Sequence, residues 1–206
     1  VNFPDIRDYQ NEFIDTILPD EHENVAGKMS RQSGKSVSTG IYLSWMYNFR
    51  SELNIGIVGN KGSQAREFLN TTKNMIISLP VWMQQGTKVW NKGSIENESK
   101  MRIMTDVPSS DAFRGFVISI LVCDEAAFIR SRRWEEFIDS IMPSQSGLAW
   151  KKNIIISTMN GMNHWHQITK SAETKKTITV NGDDIIELKN GEIITIKEYY
   201  ERRNCK

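Results

Sequence analysis

Apolar residues follow two different periods along this chain, and the changes of period mark its elements. Phe13, Ile14 and Ile17, following Asp5-Ile6-Arg7-Asp8-Tyr9-Gln10, are spaced for one face of a short amphipathic helix. Asn24 to Met29 predicts a strand, and Lys35 to about Phe49 predicts a mostly buried helix. Ile55-Gly56-Ile57-Val58-Gly59 is a compact apolar run of the kind a parallel core strand shows. Ser63 is expected to cap a helix reaching about Leu79, where Pro80 stops it. Residues 87 to 105 alternate apolar with polar, broken by turn signals at Asn91-Lys92-Gly93 and around Asn97 to Lys100. Two or three antiparallel strands are expected there. After a loop at Pro108-Ser109-Ser110-Asp111, Phe116 to Cys123 is the most apolar strand of the chain. Trp134, Phe137, Ile138 and Ile141 then share a helical face, Asn153 to Ser157 is a second buried strand, and a turn at Asn160-Gly161 precedes a short helix to about Ala172.

Strands alternating with helices imply an α/β fold, with a mostly parallel central sheet flanked by helices. The tail reads differently. Ile178 to Val180, Ile185 to Leu188 and Ile193 to Ile196 are short strands separated by Asn181-Gly182 and Asn190-Gly191, which are hairpin signals. A small C-terminal β-meander and a charged helix are expected, dividing the chain into residues 1–175 and an appendage of 176–206.

The 206 residues carry 26 Lys+Arg against 25 Asp+Glu, a formal net charge of +1. That balance excludes a disordered polyelectrolyte and a uniformly basic nucleic-acid coat, but leaves room for a local DNA-binding patch. Two distant cysteines, Cys123 and Cys205, build no disulfide framework and suggest a reducing, intracellular setting. Asp5, Arg7 and Asp8 interrupt any signal peptide, and the uncharged stretch Ser36 to Phe49 is too short to span a bilayer. No membrane association is expected.

Candidate chemistry begins at Gly34-Lys35-Ser36, between a strand and a long helix. Phosphate is held by backbone N–H groups converging at a helix N-terminus, with a lysine reaching the β- and γ-phosphates and a hydroxyl on Mg²⁺. The usual loop has a glycine five residues before Gly34, and here that position is Met29. Alone, the motif is also readable as a basic helix start. Downstream, however, Ile118 to Cys123 runs into Asp124-Glu125, two carboxylates at the end of an apolar strand. In a parallel sheet that end faces the ligand crevice. One carboxylate can position Mg²⁺ and the other can polarise the attacking water, so the pair and the loop together read as a P-loop ATPase of the ASCE type, with ATP and Mg²⁺ as its cofactors.

Ser30-Arg31-Gln32-Ser33-Gly34-Lys35-Ser36 resembles the deviant phosphate loop of tailed-phage large terminases, the DNA-packaging motors. Arg7-Asp8-Tyr9-Gln10 resembles that family's adenine-recognition segment, Trp90 to Ile95 and Ser109 to Gly115 the segments before its second nucleotide motif, Cys123 to Ile129 that motif, and Ile155 to Gly161 its coupling motif. Asn163, His164 and Trp165 fit the helix that follows. The likeness runs collinearly over about residues 5 to 172 and is close to the T4-like terminases.

This resemblance implies roles. Gln10 would hydrogen-bond adenine. Ser30, Arg31, Gln32, Ser33, Gly34, Lys35 and Ser36 would bind the nucleotide, with Arg31 neutralising γ-phosphate charge. Ser36 and Asp124 would hold Mg²⁺, Glu125 would be the catalytic carboxylate, and Thr158 and Asn160 would couple hydrolysis to movement. Arg114 would be a finger donated to a neighbouring subunit, against the plainer reading of a solvated loop arginine. Implied partners are double-stranded DNA, a portal protein, a small terminase subunit and further copies in a ring, in the host cytoplasm. The family's nuclease domain is not expected in this chain: Asp183, Asp184 and Glu187 could be read as its acidic cluster, but about thirty residues of hairpin would not build that fold, and turn chemistry explains the two aspartates more simply. Alternatives are a helicase-like DNA translocase and a non-catalytic truncated P-loop module. Arg130, Arg132 and Arg133 read as a solvated charged face, His164 and His166 as no metal pair, and Trp45, Trp82, Trp134 and Trp165 as packing residues.

Overall fold

A computed structural model describes residues 6–19 and 23–170 with their side chains, and the backbone of 176–180, 185–187 and 193–195. Its helices are α1 (Asp8–Ile17), α2 (Lys35–Phe49), α3 (Gly62–Ser78), α4 (Ser131–Gln145) and α5 (His164–Lys170). Its strands are β1 (Asn24–Met29), β2 (Asn54–Gly59), β3 (Thr87–Trp90), β4 (Ser94–Asn97), β5 (Arg102–Asp106), β6 (Ile120–Asp124), β7 (Lys152–Ser157), β8 (Lys176–Val180), β9 (Ile185–Glu187) and β10 (Ile193–Thr195).

Eight strands form one sheet in the order β3-β4-β5-β2-β6-β7-β1-β8. From β5 to β8 every neighbouring pair is parallel, and only β4 runs against its neighbours. Strand alternation sorts the core into two layers, because successive side chains point to opposite faces. Ile55, Ile57, Ile120, Val122, Ile154 and Ile156 face α1, α2 and α3, whereas Val58, Leu121, Cys123 and Ile155 face α4, α5 and the loop after β5. Strands β2, β6 and β7 are thus covered on both faces, which is why they read as continuous apolar runs.

Helix α2 is held at both ends. At its far end the Tyr47 carbonyl, which has no helical partner, accepts from Asn97 Nδ2, while Asn97 Oδ1 accepts from Met101 N at 2.9 Å. Gln85 closes the same end, its backbone N–H and side-chain amide each 3.1 Å from Asn48 acceptors. The β3–β5 meander therefore caps α2 and fixes its axis, and with it the direction in which its first turn points. A second long-range tie is Lys152, fully buried on β7, whose ammonium donates to the carbonyls of Ile17 and Pro19 and so fastens the end of α1.

Several boundaries differ from the sequence reading. Helix α3 starts at Gly62, capped at Lys61, because the Gln64 side chain accepts the Lys61 N–H at 3.1 Å; Ser63 lies inside the helix. The apolar strand expected from Phe116 begins at Ile120: Gly115 takes φ +85° and the Phe113 carbonyl binds the Phe116 N–H, turning Phe116 and Val117 outward. Of the three strands at 87–105, β5 has an antiparallel partner on one side only and continues the parallel sheet on the other. Trp82 is not a packing residue; it is 82% exposed, on a single 3₁₀ turn after Pro80 that buries no side chain. Trp45 is also part exposed, whereas Trp134 and Trp165 are buried as expected.

The tail is not a separate meander. Its first strand, β8, pairs in parallel with β1 and extends the main sheet, while β9 and β10 form an antiparallel pair of their own. The expected turns at Asn181-Gly182 and Asn190-Gly191, the charged helix, Asp183, Asp184 and Cys205 lie outside the described residues. Among the described residues, no helix is long and apolar enough to cross a membrane.

Asn97→Ala leaves the buried Tyr47 carbonyl and Met101 N–H without partners, and is expected to lower unfolding stability by about 1–3 kcal/mol. Urea denaturation with an unchanged slope checks this.

Candidate functional site

The sheet brings the ends of β1, β6 and β7 to one edge. These are the C-terminal ends of neighbouring parallel strands, where a crevice forms because the connections leave to opposite faces. From β1 the chain passes through Ser30–Ser33 into Gly34, which caps α2 in the left-handed conformation at φ +82°. A side chain here is disfavoured by the backbone and would displace Gln10. Only glycine adopts this φ without strain, and a Cβ would lie 2.1 Å from Gln10 Nε2. Met29, at the position of the absent early glycine, is the last residue of β1, buried in the core and paired with Val180.

Gln10 lies against this loop, with its Oε1 accepting the Arg7 N–H and its Nε2 donating to the Ser33 carbonyl, each at 3.0 Å. The Tyr9 hydroxyl donates to the same carbonyl at 3.0 Å. Ser30 and Ser33 hydroxyls are buried without a hydrogen-bond partner, while Arg31 and Gln32 are exposed, Gln32 at φ +61°.

Lys35 and Ser36 open α2 and point back to the acidic pair. Lys35 Nζ lies 2.9 Å from Glu125 Oε1, with both side chains largely buried. The Ser36 hydroxyl donates to Asp124. Across the carboxylate, Thr158 Oγ1, just beyond β7, lies 3.4 Å from Glu125 Oε2. Five residues predicted from sequence, on three separate segments, therefore meet in one cluster.

Burial pushes the Asp124 carboxyl up to about 6, opposed by Lys35 and by hydrogen bonds from the Glu125 N–H and Ser36, and reinforced by the Glu125 charge. Two adjacent carboxylates with a hydroxyl on one of them form a hard-oxygen donor set that suits Mg²⁺, whose charge would relieve their repulsion. Glu125 itself is left-handed, φ +53°, a conformation that costs a non-glycine residue about 1–2 kcal/mol. It caps a 3₁₀ turn over Ala126–Phe128.

That turn is gripped by the last residue of β7 and the segment after it. Ala127 N–H donates to Ser157 Oγ at 3.0 Å, and the Ala127 carbonyl accepts from Asn160 Nδ2 at 3.1 Å and Asn163 Nδ2 at 2.8 Å. His164 Nε2 lies 2.9 Å from the Ala126 carbonyl. Asn160 thus reaches the backbone behind the acidic pair. Ser157 lay within the expected coupling motif and Asn163 and His164 on the helix expected after it, but none was given an individual role from sequence; their polar character at and just beyond the end of an apolar strand was the available signal. Burial lowers the His164 pKa below its ordinary value.

Arg114 stands apart. It lies on the loop after β5, two strands from β6 along the same edge, and pairs with Asp111 at 3.1 Å with most of its side chain exposed. It lines a cavity of about 600 Å³ that also borders Phe113, Phe116 and Arg102, away from Lys35 and Glu125. Arg132 is highly exposed and pairs with Glu136 at 3.0 Å, as a solvated face does. Arg133 instead donates to the Pro108 carbonyl, tying α4 to the loop after β5.

A family model described as terminase large subunit, T4likevirus-type, N-terminal, matches residues 27–204. The match takes in the tail that the sequence reading set outside the family's pattern. Among solved structures, the chain is similar to the large terminase ATPase domain of Thermus phage P74-26, at TM-score 0.63 and 15% identity over 98% of this chain and 86% of that one. It is similar to the HK97 bacteriophage large terminase at TM-score 0.72 and 16% identity, covering 92% of this chain and 41% of that one. A large terminase from a thermophilic bacteriophage, in complex with ATP-gamma-S, matches at TM-score 0.69 and 18% identity over 96% of this chain and 49% of that one. The chain thus spans less than half the length of the last two, and at such identities the likeness is one of fold.

Asp124 generates a pH prediction. Its carboxyl in the folded chain titrates near 6, above the ordinary 3.8, so the folded state holds a proton that the unfolded state has lost between those values. Its contribution to stability is therefore fully present below the unfolded value and declines as pH rises through 6. Without nucleotide or divalent cation, Asp124→Asn is expected to flatten the fall in melting temperature between pH 4 and about 7 relative to the wild type. Parallel melts across that window check it.

Proposed function

The chain belongs to the terminase large-subunit family, T4-like type, N-terminal region, and from that premise we propose that it is an ATP-hydrolysing motor that drives double-stranded DNA into a phage procapsid. The observation that carries this reading is the cluster of Lys35 and Glu125 at 2.9 Å, with Ser36 on Asp124, at the ends of parallel strands. The phosphate-binding lysine and hydroxyl and the acidic pair lie within reach of one γ-phosphate position, as phosphoryl transfer to water requires.

Phosphoryl transfer to water is governed by positioning and charge, so each residue's task follows from where it lies. The loop N–H groups from Ser30 to Ser36 and the N-terminus of α2 would hold phosphate oxygens, with Gly34 keeping the backbone close. The Lys35 ammonium has three protons, so it can bridge Glu125 and a phosphate oxygen at once. Glu125 would take the proton of the attacking water, and Thr158, beside its other oxygen, would sense the γ-phosphate. Ser36 and Asp124 would hold Mg²⁺, which when bound supplies charge neutralisation across the β- and γ-phosphates. Arg31, exposed on the loop, would add positive charge to the γ-phosphate. Asn160, bonded behind the acidic pair, would pass loss of that phosphate to α5. Gln10 would read adenine from its place against the loop.

Arg114 would act in trans. It is exposed and lies along the crevice edge, away from its own Lys35, which suits a finger presented to a neighbouring copy in a ring. DNA, a portal protein and a small terminase subunit are the partners that this reading assigns, in the host cytoplasm.

Glu125→Gln is expected to keep ATP affinity while cutting phosphate release by about 100-fold or more. Undiminished turnover would remove Glu125 from its role. Assays with and without DNA separate a DNA-coupled motor from a module that only binds nucleotide. Mixing Arg114→Ala with Lys35→Ala subunits should restore part of the activity that each lacks alone. No restoration in demonstrated mixed assemblies would refute the trans role.

A further inference from the structure

The turn that carries Glu125 is closed only by its own backbone, Phe128 N–H on the Glu125 carbonyl at 3.0 Å and Ile129 N–H on the Ala126 carbonyl at 3.1 Å. After the left-handed Glu125 come Ala126 and Ala127, both buried and without polar side chains. Every side chain that bonds their backbone groups comes from one remote stretch: Ala127 N–H on Ser157 Oγ at 3.0 Å, the Ala127 carbonyl under Asn163 Nδ2 at 2.8 Å and Asn160 Nδ2 at 3.1 Å, and the Ala126 carbonyl under His164 Nε2 at 2.9 Å. A carbonyl only accepts, so His164 Nε2 carries a proton. In the neutral ring Nδ1 is then an acceptor, and Ser131 Oγ lies 3.3 Å from it. The imidazole stacks on Trp134 with centroids 5.2 Å apart, so three contacts fix its plane: the acidic turn, the first residue of α4 and the face of an indole.

We propose that Asn163 and His164, with Ser157, are positioning residues for hydrolysis: they clamp the Ala126–Phe128 turn and so set the direction of the Glu125 carboxylate. This rests on the reading of Glu125 as the group that takes the water's proton. The clamp gives that carboxylate a second point of control. Lys35 and Thr158 touch its oxygens, whereas Ser157, Asn163 and His164 hold the backbone of the two residues that follow it. Thr158 lies between the clamp residues in sequence, so a shift of the segment after β7 moves the carboxylate's contact and its frame together. His164 extends the linkage to α4 through Ser131 and Trp134. Hydrolytic competence is thereby tied to the placement of a whole helix.

The test compares wild type, Asn163→Ala, His164→Ala and His164→Gln in steady-state ATP hydrolysis, nucleotide affinity and thermal melting. Asn163→Ala and His164→Ala are expected to lower kcat about 10-fold or more with ATP affinity held within about two-fold, and His164→Gln, which keeps an amide donor, should recover most of kcat. Unchanged kcat in the alanine variants, equal loss in glutamine and alanine, or a parallel loss of ATP binding would overturn the proposal. A wild-type chain that binds but does not hydrolyse ATP would instead overturn the ATPase reading. The clamp is then decided by imidazole ¹⁵N resonances of the wild type: a neutral Nε2-protonated ring supports it, and an Nδ1-protonated or averaging ring refutes it.

Discussion

Two carboxylates end a strand that is buried throughout, and the surrounding architecture has to make that tolerable. Moving charge out of water is costly unless it is paired and hydrogen-bonded. Here the compensation arrives from two other segments: Lys35 and Ser36 from the start of α2, and Thr158 from the end of β7. Asp124 shows that the compensation is incomplete, since burial outweighs the neighbouring lysine and hydroxyl and its carboxyl titrates near 6. A site left with that residual tension favours whatever brings positive charge to it.

The same constraint explains the remote parts of the fold. Lys35 meets Glu125 only if α2 leaves the sheet at a fixed angle. That angle is governed at the opposite end by Asn97 and Gln85 on the carbonyls of Tyr47 and Asn48. The antiparallel β3–β5 extension looks decorative beside the parallel core, yet it closes the helix that carries the lysine. Lys152 does the corresponding work for α1, whose Gln10 and Tyr9 bond the Ser33 carbonyl in the loop before α2. Anchors at the bottom of the sheet and contacts at its top are thus parts of one mechanical frame.

Much of this was legible in the sequence, for a local reason. Lys35 to Phe49, Asn24 to Met29 and the acidic end of the apolar strand are local patterns, and a helix or strand with a period of its own announces itself. Gly34, Lys35, Ser36, Asp124, Glu125 and Thr158 were identified from such patterns and from family likeness, and the fold brings them together. What sequence hid depends on distant partners. Gln64 decides where α3 begins by folding back on Lys61, the turn at Gly115 releases Phe116 and Val117 from the strand, and β8 joins β1 across the length of the chain. Family likeness put Ser157 in the coupling motif and Asn163 and His164 beside it, but their hold on the turn was hidden because its targets are backbone carbonyls and an N–H some thirty or more residues earlier. Gln10 was expected to face a base, and its amide is found on the Ser33 carbonyl, a contact no local pattern announces.

Met29 and Gly34, the two ends of the loop, differ in how much freedom selection has at each. At Gly34 a left-handed backbone strains any other residue, and a Cβ would also displace the Gln10 amide 2.1 Å away. At Met29 the chain is still strand, and a large apolar side chain fills core that glycine would leave empty. A motif search that demands glycine at both ends discards this chain, whereas one that keeps only the second glycine and its lysine retains it. Relatives overlooked by the stricter filter should be those whose first strand, like this one, runs buried right up to the loop.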